Sequence, residues 1–390
     1  MPQEFDVAVV GLGAMGAATL YQATTRGATS LGIDRFRPPH ARGASHGNSR
    51  VTREAVGEGA DYVPLVMRSH RIVAELEREL GETFLVRSGT LIIGSQAAGG
   101  ALHGAPDFVA GSIAMARRFG IEHEILDAGE LRRRYPQFRT IRDADRGYFE
   151  PNAGYMRPEA LIDAQIAGAC RAGATVLPDT VVERIGQAGD RVRIETNAGA
   201  FAARHLVVAA GAWTRKLLGP PYDGLLTVTR QVVRWYAVED PSSFRPEKMP
   251  VFMWFVSERP GDYFTGFPVA DPAEGLKIIT SDDGPDIDHE AMEPADIEAS
   301  LAFHARLLAP NIAGVRPKVV ANATCFYTNT PHRGFVIDRH PAMDRVTVIC
   351  ACSGHGFKHS LAIGEAVAQT ILEGRSTIDL APFALSRLKR

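Results

Sequence analysis

Apolar positions in the first 34 residues fall into two short runs separated by a stretch of small residues. Residues 5–10 (FDVAVV) form a β-branched run, residues 14–25 carry the alanines and larger apolar side chains of a packed helix, and residues 30–34 are a second short run ending in an acid. The succession predicts strand, turn, helix and strand, with the length of a dinucleotide-binding unit. Residues 62–80 place apolar side chains at helical spacing and stop at Gly81, a natural left-handed cap. Residues 84–93, broken by Ser88 and Gly89, predict two paired strands. Helix and strand alternate again over 157–172 and 174–177, with further strands near Val192 and Leu206 that lead into AAGAW.

Between residues 225 and 324 the texture changes. Long alternating runs such as TVTRQVVRWYAV and VFMWFV, a loop at 271–274 and one helix over 295–308 predict an antiparallel sheet. Strands at 335–338 and 346–352 and a helix over 357–372 close the chain.

Charge adds little: 43 basic and 45 acidic residues leave the 390-residue chain near neutral, so no field of one sign points to nucleic acid or an anionic membrane. Arg132, Arg133 and Arg134 read as a solvated helix face. The start, MPQEFDVAVVGLG, has acids where a secretion leader has bases, and no run approaches the ~18 apolar residues of a membrane span. A cytoplasmic protein is expected. The four cysteines, Cys170, Cys325, Cys350 and Cys352, are too few for a disulfide framework, and no metal ligand set is expected.

Chemistry begins at Gly11-Leu12-Gly13-Ala14-Met15-Gly16. In a G-x-G-x-x-G turn between strand and helix, the first glycine makes the tight turn, the second admits a pyrophosphate to the backbone, and the third lets helix pack on strand. Amides at the helix start then face the phosphates. Asp34, about twenty residues on, suits the adenosine ribose hydroxyls. The fingerprint leaves open whether the dinucleotide is FAD or a nicotinamide.

Further motifs decide between them. PPHARGASHGNSRVTREAVGEGADYVPL, GFP followed by GLK, ATCFYTNTPHRGFVIDRHP and SGHGFKHS occur in this order, and the chain resembles the monomeric sarcosine oxidase and N-methyltryptophan oxidase family of flavoproteins. The resemblance implies an α/β fold: a Rossmann-like FAD-binding domain of glutathione-reductase type, discontinuous over 1–83, 150–220 and 325–390, with an α+β antiparallel-sheet substrate domain over 84–149 and 221–324. It also implies a monomer that binds FAD, takes a small amino acid and dioxygen, and has no nucleic-acid or membrane partner.

Residue by residue, Cys325 stands where that family bonds sulfur to the flavin. Arg53 and Lys358 match its carboxylate-binding pair. A lysine at the start of an apolar helix calls for a nearby anion, because the helix dipole opposes its charge. Lys277 matches a lysine that faces the flavin and helps activate dioxygen, where fixed positive charge favours developing anion. Tyr327 matches a ring lining the substrate cavity. Arg35, His46, Arg50, Val182, Gly211, Gly354, Gly356 and Phe357 complete the expected cofactor contacts. The implied reaction is oxidation of a secondary, N-methyl or cyclic amino acid to an imine, with hydrogen peroxide as co-product.

The chain departs from the family where sarcosine oxidases usually read SHHGDTR. Here the segment is Ser45-His46-Gly47-Asn48-Ser49-Arg50 after Ala44, and an aromatic hydroxyl and a histidine of the family are replaced by Thr265 and Ser281. A roomier or differently polar pocket follows, to which Met253 and Trp254 are candidate contributors, and sarcosine itself is not the expected substrate. A dehydrogenase passing electrons to a different acceptor, and a non-catalytic dinucleotide-binding protein, are the alternatives.

Overall fold

A computed structural model of the chain describes residues 3–95, 102–103, 105, 107–257, 259, 261–280, 284–290 and 293–389. The strand Gln3–Val10 lies inside a mostly parallel sheet, between Ser30–Ile33 and Gly199–Val208 and parallel to both. Thr175–Leu177 extends it beyond Ser30–Ile33, and Met343–Cys350 runs parallel to the end of Gly199–Val208. An antiparallel hairpin, Val182–Ala188 with Arg191–Thr196, pairs with the start of that same strand. Helices Ala14–Thr25 and Ser360–Glu373 pack closely on this layer, and Gly364 is what lets them meet: a Cβ there would lie 2.5 Å from the Ala18 backbone.

A second sheet has eight strands, in the order Val315–Asn329, Thr227–Val238, Leu276–Ile279, Tyr263–Phe267, Val251–Phe255, Thr90–Ser95, Asp145–Glu150 and Glu124–Leu126. Among these, Val251–Phe255 runs parallel to Thr90–Ser95 and the other neighbours are antiparallel. Side chains alternate as period two requires. Phe252, Trp254, Phe264, Leu276 and Ile278 enter the core on one face, each such side chain stabilising the fold by ~2–3 kcal/mol. Met253, Tyr263, Thr265 and Ile279 face the other way, onto a cavity.

The α/β class and both kinds of sheet follow the sequence expectation. The strands expected to pair within 84–93 do not pair with each other. Leu85–Val86 joins a small sheet with Gly154–Met156 and Arg50–Thr52, while Thr90–Ser95 joins the large sheet. Gly89, with φ +77° and its N–H donated to the Ala153 carbonyl, turns the chain from one sheet to the other. The expected boundary at 324/325 falls inside the strand Val315–Asn329. Two helices of the middle region, Phe108–Phe119 and Ala128–Arg134, complete the layer around the large sheet. Among the described residues, no helix is long and apolar enough to cross a membrane.

Candidate active site

A cavity of about 390 Å³ runs between the two sheets, from the glycine loop to the face of the large sheet that carries Thr265. At one end, Gly11 adopts φ +88°, and a Cβ there would meet the Ala209 carbonyl oxygen at 2.6 Å. At Gly13 nothing lies within 4 Å of an added Cβ, which leaves its backbone open to an approaching phosphate. Gly16 packs against the turn: its Cβ would lie 1.7 Å from the Gly11 oxygen. Asp34 stands one residue past its strand, accepts the Leu12 N–H at 2.6 Å and the Phe36 N–H at 2.9 Å, and keeps lone pairs for a ribose. The loop therefore fits a dinucleotide by shape. Gly16→Ala is expected to yield colourless or insoluble protein, checked by the ratio of flavin to protein absorbance after purification.

Arg35, Val182 and Gly211 line the same groove as Gly11, Gly13, Ala14 and Met15. Farther in, Arg50, Cys325, Tyr327, Gly354, Gly356 and Phe357 form the wall. Cys325 is buried and unpaired with any other cysteine, and burial raises its thiol pKa. Gly354, φ +84°, leaves no room for a side chain: a Cβ would meet His103 Nε2 at 2.7 Å and the Tyr327 ring at 2.9 Å.

Arg53 and Lys358 come together at the inner end, each 2 % exposed. They meet an internal carboxylate. Arg53 Nη2 donates to Glu58 Oε2 at 2.9 Å and Oε1 at 3.1 Å, and Lys358 Nζ lies 3.9 Å from Oε1. His103 Nδ1 is 3.2 Å and His355 Nδ1 3.8 Å from the same oxygen. Glu58 is thus the anion that a lysine at this helix start requires. Burial works against its charge, but Arg53, Lys358 and the His103 hydrogen bond outweigh it and hold the carboxyl well below its usual range. Burial likewise lowers the pKa values of His103 and His355, which makes both neutral partners at neutral pH.

Burial also brings the Lys358 amine down to about 7, with Glu58 opposing the shift. A carboxylate ligand binds the protonated form, so its affinity is expected to fall ~tenfold per pH unit above that value. Titrating a simple carboxylate inhibitor between pH 6 and 9 checks this. Glu150 holds the loop that carries Arg53: it accepts the Glu54 N–H at 2.6 Å, the Ala55 N–H at 3.2 Å and the Tyr148 hydroxyl at 2.8 Å.

Three expected residues stand behind the cavity wall. Gly16 acts through packing. His46 is buried and does not line the cavity; burial and then Arg50 lower its pKa to about 4, so it is a neutral ring. Lys277, 3 % exposed, turns to the 47–49 loop and donates to the Gly47 carbonyl at 2.6 Å, the Ser49 carbonyl at 2.6 Å and Ser49 Oγ at 3.0 Å. It also lies 4.5 Å from the Phe267 ring centroid and 5.5 Å from that of Trp235. Three acceptors match three ammonium protons, while burial and then Arg50 pull its pKa well below the usual amine value. Of the two pocket candidates, Met253 lines the cavity and Trp254 enters the core. Ser281 lies outside the described residues. Among the described residues, no group of three or more His, Cys, Asp or Glu side chains is placed to hold a metal ion.

Residues 6–370 match the FAD dependent oxidoreductase family. The chain belongs to that family. Its cofactor is FAD, and the glycine turn, Asp34 and the wall at Cys325 are where the flavoprotein would hold it. It is 37 % identical to a monomeric sarcosine oxidase of Streptomyces avermitilis, with 100 % of this chain and 99 % of that one covered. It is 34 % identical to an N-methyl-L-tryptophan oxidase of Escherichia coli, covering 99 % of this chain and 100 % of the other. Among solved structures it is similar to NikD, an unusual amino acid oxidase essential for nikkomycin biosynthesis, with TM-score 0.83, 23 % identity and 98 % and 97 % of the two chains covered. That likeness bears on the fold.

Sequence reasoning missed Glu58, His103, Glu150 and Tyr263. Glu58 had one usable signal, the demand of Lys358 for an anion. His103 and Glu150 are set by contacts across 45 residues or more and leave no local pattern, whereas Tyr263 lies two residues before Thr265 on one strand.

Proposed function

We propose that the flavoprotein oxidises a small secondary amino acid, N-methyl or cyclic, to an imine, and passes the electrons to dioxygen to give hydrogen peroxide. It would do so as a monomer in the cytoplasm, with 1–83, 150–220 and 325–390 forming the FAD-binding domain and 84–149 and 221–324 the substrate domain. The observation that carries the reading is the meeting of Arg53 and Lys358 on a carboxylate at the inner end of the cavity. A second carboxylate, from the substrate, is complementary to the same two cations once Lys358 is protonated.

When bound, FAD would supply the acceptor for a hydride equivalent from the carbon beside nitrogen and, in turn, the electrons for dioxygen. Arg53 and Lys358 orient the substrate so that this carbon is presented to the cavity wall. Neutral His103 and His355 add hydrogen-bonding groups without adding charge. Tyr327 shapes the wall between them and Cys325. The substrate nitrogen must arrive unprotonated, since an ammonium has no lone pair to assist cleavage of the adjacent C–H bond. We further propose a thioether between Cys325 and the flavin, supported by the thiol's position on the wall and its lack of a disulfide partner.

The test is peroxide release. Purified protein given dioxygen and a panel of N-methyl, cyclic and glycated amino acids should form peroxide with at least one member, in step with dioxygen consumed. Amine oxidation without peroxide would favour the dehydrogenase reading, which one observation supports: Lys277 is committed to the Gly47 and Ser49 oxygens rather than to the cavity. No oxidation of any amine would reject both.

A further inference from the structure

Replacing the family's aromatic hydroxyl by Thr265 suggests an emptier pocket, but the structure supplies a phenol from elsewhere. Tyr263 lies two residues earlier on the same strand and therefore on the same face. Its hydroxyl meets Thr265 Oγ1 at 2.5 Å, and both residues line the cavity. The phenol is braced rather than mobile. Its ring stacks on Phe255 with centroids 4.8 Å apart and planes at 29°, Phe255 meets Phe108 at 6.1 Å, and the Arg53 guanidinium lies over Phe108 at 4.8 Å. This run of rings fixes the distance between the carboxylate grip and the two hydroxyls.

We propose that the Tyr263–Thr265 hydroxyl pair determines specificity, selecting secondary amino acids whose substituent carries a hydrogen-bonding group over those with a plain alkyl substituent. The proposal rests on the amine-oxidation reading above and names the substrate class of that site. Two hydroxyls bonded to each other use one of their two protons, which leaves one O–H and several lone pairs on residues that line the cavity. Burial raises the Tyr263 pKa to about 12, so the pair remains a donor throughout the neutral range. Met253, opposite Thr265 in the sheet, and Ile279, its other neighbour, are apolar. The hydroxyls are thus a polar spot in an apolar wall. An alkyl group lodged there would leave their remaining donor and acceptors unsatisfied, a penalty that a polar group avoids.

Two isosteric pairs test it: N-methylserine against N-methyl-2-aminobutyrate, and N-(2-hydroxyethyl)glycine against N-propylglycine. The readout is the specificity constant for anaerobic flavin reduction. In the unmodified enzyme the hydroxyl member of at least one pair should lead by about five- to tenfold. Thr265→Val and Tyr263→Phe should each bring that ratio near one, and Thr265→Ser, which keeps the hydroxyl, should preserve it. A ratio near one in the unmodified enzyme, or one unchanged by both variants, overturns the proposal while leaving amine oxidation intact. If no amine reduces the flavin, the functional reading fails and this proposal with it.

Discussion

Replacing Lys277 by Met is expected to slow reaction of the reduced enzyme with dioxygen by a hundredfold or more, while anaerobic reduction by substrate changes less than about twofold. Removing one group that stabilises a developing anion in a water-poor site typically costs ~10²–10³ in rate. Lys277 is buried beside Arg50, which lines the cavity; the Gly47 and Ser49 oxygens favour its ammonium against burial, and a charge so held would act across the wall in low-dielectric surroundings without touching the reactants. The side chain also ties the loop at 47–49 to the sheet, so loss of packing must be separated from loss of charge. Stopped-flow measurement of the two half-reactions separates them: a loosened loop would impair both, a missing charge the second alone. Equal rates of reoxidation in Lys277→Met and the unmodified enzyme would remove Lys277 from the oxygen chemistry.

The second large effect is expected at Arg53. Arg53→Met should weaken binding of any carboxylate-bearing substrate by about thirtyfold or more, since truncating one partner of a buried, hydrogen-bonded charge pair typically costs ~2–5 kcal/mol. Part of the damage would be structural, because Glu58 is left as a buried charge whose remaining cation is Lys358, with His103 and His355 as neutral neighbours. Breaking such a pair costs ~3–5 kcal/mol of stability. The double variant Arg53→Met/Glu58→Gln removes that penalty. Thermal melting should show its stability recovering, while its affinity for the substrate carboxylate should stay low. Recovery of both would mean that Arg53 serves only to neutralise Glu58.

The sequence made the cofactor end legible because its geometry is local. Gly11, Gly13 and Gly16 lie within six residues, and each has a steric reason readable from spacing alone. At the inner end, the pairing of Arg53 with Lys358 was legible through resemblance and the need of Lys358 for an anion through the helix dipole; the two cations do come together, on Glu58. Strand pairing at 84–93 was misread because alternation shows which face a strand buries and not which sheet it joins. At Thr265 the sequence showed that the pocket changes but not which group fills it, for a related reason. A substitution at one position lowers local bulk, whereas the phenol of Tyr263 enters from a neighbouring position with the same facing, which a position-by-position comparison does not register. Lys277 illustrates the converse, since matching a motif fixes its place on the strand but not the acceptors its ammonium finds.

The most direct measurement is anaerobic mixing of the purified yellow protein with N-methyl and cyclic amino acids, followed by flavin absorbance. If two cations and a flavin share this cavity as described, the yellow colour should bleach with at least one secondary amino acid and return when air is admitted. Colour that persists with every such amine, in protein that carries its flavin, would contradict amine oxidation at this site.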